Sequence, residues 1–330
     1  VLRLSRLFLF FGFFGLPLFV QATVPLGSDV NLAMFADAQL LWGESGTNSG
    51  FTLNDGALYL SRNHLDTEFF VGLPFTTQNA PNPTSLPNGN SGQSTSADLN
   101  FAGAKAQAYI GHKYGNHVFW RAGQFDGLYG YEGNSTKELF FSNQGQLWGE
   151  LPTVQTGLTV GLKPTEQLTL QAVVANHHDE GQKADGEGLD GGVKATLEKE
   201  NWNAGGGVLL MDKRTGEEYL VEAYAEVKLH KWTAAVDLAV KKESAENVAG
   251  TGALISVLYA LNPMWSIGAR VDGVQLMDRY YRFQPSLGVN ARMSEDLVAK
   301  ATYSHLESEI NEGDGVIGYD YTTFNIVYVF

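Results

Sequence analysis

Seven histidines are the first residues here that could do acid–base or nucleophilic work. A hydrolase needs such a histidine beside a serine or carboxylate in a fixed arrangement. His64, His112, His117 and His230 fall instead at expected turns or strand ends, and His177, His178 and His305 in or near expected loops. His177-His178-Asp179-Glu180 gathers metal-ligand types, yet neighbours in an extended chain point opposite ways, so a solvated loop is expected. Gly205-Gly206-Gly207 lacks the Lys-Ser/Thr and the helix of a phosphate loop and reads as a strand of small residues. Asn311-Glu-Gly-Asp-Gly315 lacks the spacing of a calcium loop. No catalytic residue, metal or cofactor is expected. A membrane-barrel phospholipase or protease is the rival class that these absences count against.

The remaining chemistry is that of charges spaced along strands. In Trp232–Lys241, Trp232, Ala234, Val236, Leu238 and Val240 share one face, and Thr233, Asp237 and Lys241 lie on the other. A period of two is the signature of a strand. The segments 218–229, 263–274 and 295–306 read the same way, each with charged residues in mid-strand opposite an aliphatic face. By this parity Asp37, Glu222, Glu226, Asp237 and Asp272 are inward acids. Lys105, Arg121, Lys194, Lys228, Lys241, Arg270 and Lys300 are inward bases.

Sixteen strands are expected, near 30–42, 51–62, 64–75, 99–112, 116–126, 153–163, 165–176, 188–198, 201–212, 218–229, 231–242, 251–261, 263–274, 281–291, 295–306 and 317–330. In the second, Leu58, Tyr59 and Leu60 do not choose a face. Short connections (Arg62-Asn63, Lys113–Asn116, Lys163-Pro164, Lys199-Glu200, His230, Asn262, Met293-Ser294) alternate with long ones. A soluble sandwich also alternates apolar and polar residues, but sixteen strands are many for one. The expectation is an all-β fold, a transmembrane antiparallel up-and-down β-barrel with tight periplasmic turns and longer outer loops. The closing strand ends Asn325-Ile-Val-Tyr-Val-Phe330, like the assembly signal of bacterial outer-membrane barrels. At about 16–18 strands a barrel lumen is wide enough for water.

Residues 1–22 are expected to be a secretory signal, with Arg3 and Arg6 ahead of the apolar run Leu7–Val20 and a small residue at Ala22. A single barrel domain then covers 23–330. The whole chain has net charge −14, and without residues 1–22 it has −16 (36 acids against 20 bases). That argues against a nucleic-acid partner, which requires basic patches. There are no cysteines. The long connections carry −12 of that charge, so an acidic outer mouth is expected.

Gly123-Gln-Phe-Asp-Gly-Leu-Tyr-Gly-Tyr-Glu-Gly-Asn134, followed by Leu151-Pro152 and Thr156-Gly157-Leu158, resembles the OmpL-like β-barrel porin family of the bacterial outer membrane. The resemblance is sharpest over 118–180 and implies a porin without naming its solute. The expected function is passive diffusion of small hydrophilic solutes and ions through a water-filled pore with weak cation preference. The alternatives are a substrate-specific channel and a non-conducting structural or adhesion barrel. Outer-membrane lipids are expected around the barrel, and a homotrimer by analogy with other sixteen-stranded porins.

Residues 127–150 form a long loop with its own apolar residues, Phe140, Phe141, Leu147 and Trp148, and are expected to fold inward. Glu132, Lys137, Glu138 and Glu150 would then face Arg121, Arg270 and Lys300 across a constriction. The competing expectation is that these bases pair with Asp237 and Asp272 on the wall. Trp202, Trp232 and Trp265 follow short turns with lipid-face parity. With Tyr328 and Phe330 they are expected to form a periplasmic girdle, since an indole has an apolar ring and a polar N–H.

Overall fold

The computed structural model describes residues 24–25, 30–43, 50–77, 99–101, 106–133, 139–176, 188–213, 216–243, 248–276, 280–309 and 317–329. The expected signal segment, Lys105, Lys137, Glu138, Phe330 and His177–Glu180 lie outside them.

Sixteen antiparallel strands form the wall. They are β1 (Val30–Gly43), β2 (Gly50–His64), β3 (Thr67–Thr77), β4 (Gln107–Tyr114), β5 (Val118–Asp126), β6 (Val154–Leu162), β7 (Leu168–Asn176) and β8 (Leu189–Lys199). The second half comprises β9 (Trp202–Lys213), β10 (Gly216–Leu229), β11 (Trp232–Glu243), β12 (Val248–Ala260), β13 (Trp265–Leu276), β14 (Tyr280–Arg292), β15 (Leu297–Glu309) and β16 (Ile317–Val329). Each pairs with its sequence neighbour, and β16 pairs with β1 from Tyr321↔Gly43 to Val329↔Phe35, which closes the sheet. Closure leaves no unpaired edge, the condition for a sheet to cross hydrocarbon. Two short pieces flank the ring, Val24–Pro25 beside β1 and Leu99–Phe101 beside the end of β3.

The alternation predicted along the strands is the alternation observed. Val221, Leu238, Val240, Ile255, Val271 and Leu287 point outward and are exposed, while Glu222, Asp237, Arg270, Asp272 and Lys300 point inward and are buried. An apolar exterior around a polar interior inverts a water-soluble domain and suits lipid outside and water within.

The structure corrects several boundaries. The turn expected at Arg62-Asn63 lies at Leu65-Asp66, because Asn63↔Glu68 and His64↔Thr67 extend the ladder. Leu65 and His230 take positive φ (52° and 55°), as a two-residue hairpin with matching twist demands. The expected strand 99–112 is Leu99–Phe101 and then β4, both paired to β3. A register shift between Asp37 and Ala38 marks a bulge in the β1–β2 ladder. Beyond it Tyr59 points inward and Leu58 and Leu60 outward, which explains why the sequence chose no face there.

Candidate functional site

The chain between β5 and β6 folds into the lumen and lies against the inner wall from β6 to β16. It begins at Gly127, whose N–H donates to Thr153 O at 2.9 Å, and ends in a 3-10 turn, Leu147–Glu150. The inner wall carries an apolar patch for it. Inward Val173, Leu209, Met211, Leu220, Leu254 and Val274 cluster with Tyr129, Leu147 and Leu151 of the loop. Fully burying one such aliphatic side chain is worth roughly 1.5–3 kcal/mol, so this patch dominates the anchoring. The sequence reading assigned the inward faces to hydration. These positions are apolar because the loop, and not water, covers them.

Glycines shape the seat. A Cβ at Gly192 would lie 2.2 Å from the Tyr129 hydroxyl, one at Gly207 2.9 Å from the same ring, and one at Gly252 2.4 Å from Leu147. At Gly268 it would meet Phe140 at 2.6 Å, and at Gly288 Phe141 at 3.0 Å. Of the three glycines at 205–207, Gly205 and Gly207 therefore admit Tyr224 and Tyr129, rings that sequence reasoning could not pair with them.

Polar contacts fix the register. Tyr129 Oη donates to Val208 O at 2.9 Å, and Tyr131 N–H to Asp237 Oδ2 at 3.0 Å. The Tyr131 phenol donates to Glu226, and Lys194 to Leu128 O. Burial, reinforced by Glu226, holds the Tyr131 phenol well above the usual tyrosine range, so it remains a donor. Ser142 N–H donates to Thr302 Oγ1 (3.0 Å), Asn143 Nδ2 to Tyr321 Oη (3.0 Å), and Lys300 to Leu139 O.

Arg270 is the central pin. Its side chain has no exposure and pairs with Glu132 Oε1 at 2.7 Å and Asp272 Oδ2 at 2.9 Å. It also donates to Asn143 O at 2.9 Å and lies 4.7 Å from the centre of the Phe141 ring. Asp272 Oδ1 accepts from Gln146 N–H at 2.5 Å, and Glu132 Oε2 from Gly145 N–H at 2.6 Å. Glu132 and Arg270 thus touch and do not face each other across open lumen. The wall pairing of Arg270 with Asp272, the competing expectation, is present as well.

Asp237 and Lys300 are inward but covered by the loop, and Glu150 lies in its final turn. Arg121 stays apart from all of these. It is on β5, eight strands around the ring from β13, and so on the opposite wall. There its half-open guanidinium stands 3.8 Å from Glu68 Oε2 and 5.1 Å from the centre of the Tyr109 ring.

Trp202, Trp232 and Trp265 are the first residues of β9, β11 and β13, and Trp232 and Trp265 are exposed. Trp232 packs against Tyr259 at 4.5 Å between ring centres, and Tyr328 pairs opposite Leu297 near the same short-turn rim. If these rings form the girdle, lipid-attached quenchers near the headgroups should reduce tryptophan fluorescence. Rings shielded from such quenchers would place the membrane boundary elsewhere. Among the described residues no cluster of three or more His, Cys, Asp or Glu is placed to hold a metal ion.

The family model described as "Putative beta-barrel porin-2, OmpL-like" matches residues 40–308. No curated protein sequence matches the chain. The outer membrane channel DcaP of Acinetobacter baumannii is similar in structure, with TM-score 0.68 and 11% identity over 93% of this chain and 99% of that one. The trimer form of OmpT of Vibrio cholerae has TM-score 0.63 at 11% identity, covering 94% and 100%. The anion-selective porin from Comamonas acidovorans has TM-score 0.61 at 11% identity, covering 91% and 99%.

Proposed function

Because this chain belongs to the OmpL-like β-barrel porins of the bacterial outer membrane, we propose that it passes small hydrophilic solutes and ions by passive diffusion, with a weak preference for cations. It is a channel rather than an enzyme. The observation that carries the diffusion reading is the inward loop, which occupies one side of the lumen and leaves Arg121, Glu68 and Tyr109 partly open on the other.

The charge distribution supports the cation preference. On the inner wall Lys194, Arg270 and Lys300 are covered by the loop, but so are Glu222, Asp237 and Asp272, and acids and bases drop out together. Arg121, Lys228 and Lys241 stay open on the wall beside Glu226, and the larger acidic excess of the outer connections stands against them. Its field reaches about one Debye length, roughly 8 Å at physiological salt. Reversal potentials across a salt gradient are expected to show cation preference at low salt that fades at high salt. Anion preference at low salt would mean that residues of the basic wall govern permeation. A barrel that conducts no salt in a planar bilayer would be the non-conducting structural or adhesion protein instead.

A homotrimer is part of this reading, supported by likeness to the trimer form of OmpT. Cross-linking in outer-membrane vesicles checks it, with a three-subunit band expected.

A further inference from the structure

Along the wall beside the loop's seat, three partly exposed aromatic side chains stand in a row and point into the lumen, with buried Phe35 of β1 stacked on the first and the last packed against the edge of the loop's apolar cluster. Tyr59 of β2 and Phe70 of β3 have ring centres 5.6 Å apart, and Phe70 and Tyr109 of β4 are stacked at 5.2 Å and 21°. All three are partly exposed, and their sequence neighbours Leu58, Phe69 and Ile110 face the other way, toward lipid. The strip is built rather than incidental. Gly72 lies beneath it, where a Cβ would meet Phe70 at 3.1 Å and Tyr59 at 3.3 Å, and Gly111 gives the same clearance to Arg121.

Polar groups line one end of the strip. Tyr109 Oη donates to Glu68 Oε1 at 3.0 Å, Arg121 stands by the other Glu68 oxygen, and Gln107 Nε2 donates to Asp126 Oδ1 at 2.6 Å. Arg121 offsets Glu68, and Asp126 leaves the corner with one negative charge, so it offers donors and acceptors to a neutral solute and repels an anion. A stepped apolar row of ring faces and edges, bordered by hydrogen-bonding groups, fits a solute with an apolar ring face and a hydroxyl rim. An acyclic polyol has no such face, and an aromatic anion would bring a charge the corner does not balance.

We propose that Tyr59, Phe70 and Tyr109 form a sugar-binding strip on the pore wall, along which neutral pyranose rings stack while Arg121, Glu68 and Gln107 hydrogen-bond their hydroxyls. The inference rests on the diffusion reading above and makes the pore selective among neutral solutes. Three rings in succession favour a short oligosaccharide over a single sugar, because adjacent sugars occupy adjacent rings together.

The test uses the full-length protein in planar bilayers, with potassium chloride conductance recorded while maltotriose, glucose, sorbitol or benzoate is added. Maltotriose is expected to block the current saturably, glucose more weakly and sorbitol not at all. Tyr59→Ala, Phe70→Leu and Tyr109→Phe separate the roles. Loss of a ring face in the first two should raise the half-blocking concentration about two- to tenfold, the scale of one aromatic contact. Tyr109→Phe keeps the ring and should weaken block less than Tyr59→Ala. Heat-modifiable migration in gels shows that each variant has folded, and each variant's block is read against its own sugar-free salt conductance. A channel that conducts salt but is not blocked by maltotriose overturns the strip and leaves the diffusion reading standing. Block by benzoate alone, or sugar block unaltered in Phe70→Leu, also overturns it. A protein without salt conductance overturns the diffusion reading itself.

Discussion

Removing residues 133–147 is expected to raise single-channel conductance several-fold. The excised stretch holds Ser142, Asn143, Gln146 and Leu147, which bind the wall through Thr302, Tyr321, Asp272 and the apolar patch. Its described residues contribute no strand to the ladder, and the ring from β1 to β16 keeps every neighbour pairing. Space now filled by Phe140, Phe141 and Leu147 would open to water. Arg270, Asp272 and Lys300 would be left facing that water, and they would hydrate without the penalty of a buried unpaired charge. The recording belongs at high salt, where the charge at the mouth is screened and conductance reports cross-section. An unchanged value would show that the loop lies outside the current path.

Arg270→Met should release the loop without removing it. The substitution deletes the ion pairs to Glu132 and Asp272 and the donor to Asn143 O together. It leaves Glu132 and Asp272 as two carboxylates facing each other with no cation between them. Breaking a buried pair from one side costs about 3–5 kcal/mol, enough to shift a docked-to-free ratio by more than about a hundredfold. The expected signature is a larger, flickering conductance together with proteolysis within 133–150, while the barrel migrates as folded protein in unheated gels. Adding Glu132→Gln and Asp272→Asn to Arg270→Met should restore part of the docking, because the repulsion is gone and the apolar anchors remain. A quiet, wild-type current from Arg270→Met would mean that the apolar patch alone holds the loop.

The wall was legible in the sequence because lipid outside and water inside impose a strict period of two. Val221 through Leu229 or Trp265 through Asp272 can be read onto the right face with no further information. The tight turns were less legible. Asn63 and His64 look like turn residues but pair across to Glu68 and Thr67, since ladder hydrogen bonds outweigh local preference. The inward course of the loop followed from its own apolar residues, and Phe140, Phe141 and Leu147 are buried or half-buried as expected. Its docking partners were not legible. Gly252 and Gly268 carry no mark that they receive Leu147 and Phe140, and Leu220 and Leu254 look like errors in an otherwise polar face until the loop covers them. Parity places a side chain on a face, but which groups meet across a lumen depends on strand stagger around the whole ring. That is why Glu132 was read as facing Arg270 across a gap when the two are in contact.

The inner loop also sets an order of events in biogenesis. Nearly all its fixing contacts are to chain synthesised after it, from Lys194 and Val208 through Asp237 and Arg270 to Thr302 and Tyr321. Asn143 and Tyr321 are 178 residues apart, a separation whose loop-closure entropy only an already formed wall can offset. The loop's seat is therefore complete only when the last strands are in place, and the stretch from Leu139 to Asn143 docks after the stretch from Leu128 to Tyr131. Narrowing of the bore is thus a late step of maturation, set by closure of the wall and not by the loop itself.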